Sequence, residues 1–208
     1  MANQNEAKAI CFSRSMSSDG EEIARIVAEK MSYRYVDDEI IAMAAEKEGV
    51  SPETIGKVER PSAITNRILE YMSHDSGGAY EFMSLEMAQS EEYRRMIEDV
   101  IVETAKTGNV VIVAHGAAIP LADMPGVLRV FVSASQSKRT KRHMAEANRD
   151  EQKAREDIAA SDRQRADYFQ HFYDINQELP THYDIVLNTD HLTPSVAADV
   201  VERAARRM

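Results

Sequence analysis

Residues 10–25 read ICFSRSMSSDGEEIAR. A short apolar run ends at Ser13 and a turn of small residues follows. From Asp19 or Gly20 onward, Ile23, Ile26, Val27, Ala28 and Met31 recur at helical spacing. A strand that passes through such a turn into a helix N-terminus is the layout of a phosphate-binding loop, where backbone N–H groups and the helix dipole attract anions. The Walker A pattern G-x-x-x-x-G-K-[ST] is nevertheless not met. In its register Arg14 takes the first glycine, Asp19 the second, Gly20 the lysine and Glu21 the hydroxyl residue. What survives is strand, small-residue turn (Ser15, Ser17, Ser18, Gly20) and helix start. Asp19 has two readings, a ligand-facing carboxylate or an N-cap of the helix, and its residue type and position favour the cap.

Working outward, a first strand is expected over Ala9–Ser13 and a second within YRYVDDEII, residues 33–41, where Asp37 or Asp38 suits a helix start. The segment GNVVIVAHGAAI carries a β-branched run between turn residues, and LRVFVSA is another of the same kind. Both read as parallel strands buried on two faces. YDIVLNT, residues 183–189, is the last strand, and a C-terminal helix follows with Thr193 as cap and Pro194 at its first position. Residues 84–109 are expected to form a long amphipathic helix ending at Gly108, and residues 135 to about 178 read as charged and helical. Strands alternating with helices, without a hairpin signal, predict an α/β domain with a parallel sheet.

The net charge of −10, from 35 acidic and 25 basic residues, disfavours a nucleic-acid partner. A locally basic run from Lys138 to Arg165 points instead to a small anionic ligand, with a solvated helix pair as the alternative. No apolar run reaches the roughly 18 residues of a membrane span. MANQNEAKA, residues 1–9, has no apolar segment of the kind that directs export, so a cytoplasmic location is expected. The single cysteine, Cys11, reads as a buried spectator. No Cys/His cluster has metal-ligand spacing, and His143 and His171 are expected to face solvent.

Five segments in order extend the reading: residues 10–41, then GNVVIVAHGAAIPLADMPGVLRVFVSAS, RTKR, DRQRADYFQHFYD and YDIVLNTD. Together they resemble the cytidylate kinase-like family over about residues 10–203. That resemblance implies a P-loop NTPase-like parallel sheet with helices on both faces, a helical insertion and a helical lid. The implied boundaries are a core at 9–72 and 97–208, an insertion at about 50–96 and a lid at about 136–180, within one domain. The family's first loop runs S-R-x-x-G-S-G-G-x-x-I-A and already lacks the Walker lysine. This chain keeps Ser13, Arg14, Gly20, Ile23 and Ala24, and places Ser17 and Asp19 where the first and third residues of G-S-G-G stand.

The resemblance assigns a phosphate loop of Ser13, Arg14, Ser15, Ser17, Ser18, Asp19 and Gly20. It also assigns charge-stabilising lid residues Arg139, Arg142, Arg163 and Arg165. Acceptor-side residues are Asp37, Arg60, His115 and Asp162, with Glu59 and Arg67 as weaker candidates. His115 replaces the arginine of the family's G-R-G and cannot make its bidentate phosphate fork. The implied cofactors of an active enzyme are ATP and Mg2+, and the implied acceptor is CMP, dCMP or another small phosphorylated molecule. The alternative is a degenerate kinase fold, a nucleotide sensor or interaction module, because Asp19, Glu21 and His115 depart from the pattern where phosphate would sit. Met72, Met83, Met87 and Met96 read as packing of the insertion helices, with an adaptable surface as the alternative. A homodimer is the corresponding partner expectation.

Overall fold

In a computed structural model, which describes residues 6–37, 91–113 and 116–208, five strands lie side by side in the order β2-β3-β1-β4-β5. The strands are β1 (Ala9–Arg14), β2 (Arg34–Val36), β3 (Val110–Val113), β4 (Val127–Ser133) and β5 (Ile185–Asn188). Every pairing is parallel, so all carboxyl ends emerge along one edge. The described helices are α1 (Gly20–Met31), α2 (Glu91–Thr107), α3 (Gln136–Ala147), α4 (Glu151–Tyr173) and α5 (Pro194–Ala205).

β3, next to the central strand, is β-branched at all four positions and buried at all four, because both of its faces are covered. On one face Ile10, Phe12, Val111, Val113, Leu128 and Val130 pack with Ile23, Ala24 and Val27 of α1 and with Ala197, Ala198 and Val201 of α5. On the other, Ala9, Cys11, Val110, Ile112 and Val127 pack with Val100, Ile101 and Ala105 of α2. Each fully buried Val, Ile or Phe stabilises the fold by roughly 1.5–3 kcal/mol. Cys11 is buried as expected, and burial pushes its thiol up to about 12, which keeps it protonated and inert.

Local signals set the helix ends. Thr193 accepts a hydrogen bond from the Val196 N–H, with Pro194 beside it at the start of α5. Ser135 does the same for α3 through the Lys138 N–H, and Asp150 for α4 through the Lys153 N–H. α2 ends at Gly108, whose φ of +71° suits a residue without Cβ. No helix among the described residues is long and apolar enough to cross a membrane. Arg60, His115, Glu59, Arg67, Met72, Met83, Met87 and most of the 50–96 insertion lie outside the described residues, as do the side chain of Met96 and the helix that Asp37 or Asp38 would start.

Candidate functional site

β1 is the central strand, and its carboxyl end delivers residues 15–19 to the start of α1. The turn keeps an unusual backbone. Ser17 and Asp19 have φ of +52° and +62°, at two of the three positions where the resembled family's pattern has glycine. Left-handed conformation costs a non-glycine residue about 1–2 kcal/mol, so the loop takes this shape against the preference of its side chains. Gly20 is glycine for another reason: a Cβ there would stand 2.6 Å from Arg14 Cβ. The Arg14 side chain crosses Gly20 and ion-pairs with Glu21 in the first turn of α1.

Asp19 occupies the N-cap position of α1 but makes no side-chain cap, which corrects the expectation from residue type. An N-cap normally has extended backbone, which lets its side chain fold back over the first turn. The left-handed backbone of Asp19 directs the carboxylate elsewhere, to Arg142 of α3 at 2.9 Å. Burial pushes this carboxyl above its ordinary value; Arg142 opposes the shift and nearby Glu146 adds to it.

Arg142 is fixed independently of that ion pair. Its two terminal nitrogens donate to Thr189 Oγ1 at 3.0 Å and to the Thr189 carbonyl at 2.7 Å, with a longer contact to the Ser17 carbonyl. Thr189, just past β5, also donates to the Ser18 carbonyl at 3.0 Å. The loop is tied to β4 as well, through Ser15 Oγ to Ser133 Oγ at 3.0 Å and Ser18 Oγ to the carbonyls of Ser15 and Val132. One turn along α3, Glu146 accepts from Ser17 Oγ at 2.8 Å, and His143 Nδ1 lies 3.4 Å from the same oxygen.

His143 does not face solvent. It is buried, with Nε2 placed 3.2 Å from Asp157 of α4, a carboxylate that is 4% exposed and also approached by Arg149 and Lys153. Spacing alone does not reveal this, because the partner that makes burial tolerable sits on the next helix. The side chain of His171 lies outside the described residues.

The remaining lid arginines have different neighbours. Arg139 is buried and grips Asp162 with two hydrogen bonds of 2.8 and 2.7 Å while its Nε donates to the Ala134 carbonyl. Two residues proposed for separate roles are thus each other's partner, joining α3 to α4. Arg165 forms a two-pronged pair with Glu178, donates to Ser13 Oγ and the Arg14 carbonyl, and lies against the rings of Phe131 and Phe169. Tyr183 stacks on Phe131 with centroids 5.1 Å apart and donates to Glu178 and Ser13. Arg163 is exposed. Asp37, past the end of β2, lies 3.4 Å from Arg25, whose guanidinium covers the Tyr35 ring.

The structure therefore brings Ser13, Arg14, Ser15, Ser17, Ser18, Asp19, Gly20, Arg142 and Arg165 to the carboxyl end of β1. Thr189, Glu178, Tyr183, Glu146 and Asp157 complete the arrangement and were not singled out in the sequence. Only the order of YDIVLNTD after the lid placed Tyr183 and Thr189 near it. Among the described residues no group of three or more His, Cys, Asp or Glu side chains is disposed to hold a metal ion. The residues fit a phosphate in two respects, a left-handed turn opening onto a helix with no side-chain cap and an immobilised guanidinium, and oppose it in one, the Asp19 carboxylate.

Comparison with known proteins follows the same lines. The family model described as "Cytidylate kinase-like family" matches residues 9–191. No curated protein matches the chain in sequence. Among solved structures, an uncharacterized protein from Eubacterium ventriosum is similar with a TM-score of 0.66 at 18% identity, covering 95% of this chain and 97% of that one. A gluconokinase from Sinorhizobium meliloti has a TM-score of 0.53 at 12% identity, over 97% of this chain and 95% of its own. Shikimate kinase from Bacteroides thetaiotaomicron has 0.52 at 12% identity, over 94% and 96%. At these identities the likeness is one of fold: a P-loop kinase-like α/β sheet.

Proposed function

The chain belongs to the cytidylate kinase-like family, and on that premise we propose that it binds a nucleotide at the β1–α1 turn and transfers the γ-phosphate of ATP to CMP, dCMP or another small phosphorylated acceptor. The observation that carries this reading is the meeting of the left-handed turn, the start of α1 and the Thr189-braced Arg142 at one end of the central strand. ATP with Mg2+ supplies the transferable phosphoryl group and its counter-charge when bound. The chain's own part is positioning and electrostatics. The first turn of α1 directs N–H groups toward the phosphates, and Arg142 supplies a fixed cation above them. Asp37, at the same edge of the sheet, marks the acceptor side, and α3 with α4 forms the lid over both.

A second reading, a degenerate fold that binds nucleotide without turnover, is favoured by one observation. Arg139, Arg142 and Arg165 each already face a carboxylate of the chain itself. A coupled assay with ATP, Mg2+ and CMP or dCMP separates the two. Turnover within the roughly 1–100 s⁻¹ of ordinary kinases supports transfer. Absent turnover with a nucleotide-dependent rise in melting temperature supports the sensor. Absence of both overturns the nucleotide reading altogether.

A further inference from the structure

We infer that Asp19 is a specificity-determining residue, a resident anion that holds the phosphate position on Arg142 and must be displaced by any phosphate that binds there. The inference rests on the nucleotide reading above and adds to it a condition for occupancy.

The three paired lid arginines are not equivalent. Arg139 and Arg165 are gripped by two oxygens each, and both also donate to backbone carbonyls. Their carboxylates are part of the architecture. Asp19 instead contributes one oxygen to Arg142, and the hydrogen bonds that fix the guanidinium come from Thr189 and the Ser17 carbonyl. Removing the Asp19 carboxylate therefore leaves Arg142 in place with its charge exposed toward the loop.

Asp19 is also poorly anchored. It makes no helix cap, and its side-chain partner among the described residues is Arg142. With side chains 16% and 23% exposed, the pair is shielded enough for charge to matter and open enough for exchange. A phosphate brings more charge and more acceptor oxygens to the same guanidinium than one carboxylate oxygen does. The exchange is thus favourable for an oligophosphate and unfavourable for a weak monoanion. Selectivity for highly charged phosphates follows from the competitor, without the Walker lysine.

The test uses the whole chain and the variant Asp19→Asn, since asparagine tolerates left-handed backbone, with Glu22→Gln as a control that removes a charge from the same helix turn. Inorganic tripolyphosphate, Mg·ATP and adenosine are titrated calorimetrically into each protein, and melting temperatures establish that each is folded. The expected result is a gain of about tenfold or more in tripolyphosphate and Mg·ATP affinity for Asp19→Asn, no gain for adenosine, and little change for Glu22→Gln. Equal phosphate affinity in wild type and Asp19→Asn overturns the inference and leaves the nucleotide reading standing. An equal gain in both variants also overturns it, assigning the effect to net charge. Failure of every protein to bind either phosphate overturns both.

Discussion

A Cβ added at Gly20 would meet the Cβ of Arg14 at 2.6 Å, a contact with the root of a side chain rather than its flexible end. Arg14 cannot swing aside without giving up its place against Glu21. Gly20→Ala is therefore expected to destabilise the protein by about 1–3 kcal/mol, as overpacking does. Urea unfolding measures this, and a change within about 0.5 kcal/mol would show that the Arg14 crossing is not held. The same scale explains what residue type alone misread. Asp19 has the identity of a cap, and capping preference is a statement about residues with extended backbone. Two positive φ values, at Ser17 and Asp19, are a property of the folded loop held against its own side chains, and no propensity reveals them.

Beside the strand pairings and the two apolar clusters, acid–base pairs join segments distant in sequence. Asp184, just before β5, accepts from the backbone N–H, Nε and Nη2 of Arg129 on β4 at 2.8, 3.1 and 2.8 Å. The Arg129 hydrogen bond holds the Asp184 carboxyl below its ordinary value of 3.8. The native state thus favours the charged form. Its contribution is present above the unfolded value and is lost as pH falls through the lower native one. Asp184→Asn is expected to cost roughly 1–2 kcal/mol near neutral pH, discounted for partial exposure. The gap from wild type should close as pH drops below 3.8. Urea titrations across that range check it, and a gap that stays constant with pH would contradict the assignment. The strands and caps that bind these elements were readable in the sequence: β-branched runs buried on both faces, and Thr193 followed by Pro194. The pairs were not. Arg139 meets Asp162, Arg142 meets Asp19 and His143 meets Asp157 only because α3 lies between α4 and the loop, a fact of packing rather than of spacing.

At the scale of the molecule, a parallel sheet concentrates its chemistry at one edge, and here that edge holds the β1–α1 turn with Asp19 and Glu21 in or beside it. The order of five segments was enough to identify the sheet and the place of the loop. On the proposed function, phosphate binding there turns on the balance among Asp19, Glu146 and Arg142, which only the folded arrangement brings together. The most direct measurement is a titration of isotopically labelled protein with Mg·ATP, followed by the backbone amide signals of residues 15–22 and the Arg142 side-chain signal. The account predicts that the largest saturable shifts fall on those residues, with the Arg142 signal moving as Asp19 is released. Saturable shifts centred elsewhere, or none at millimolar nucleotide, would contradict it.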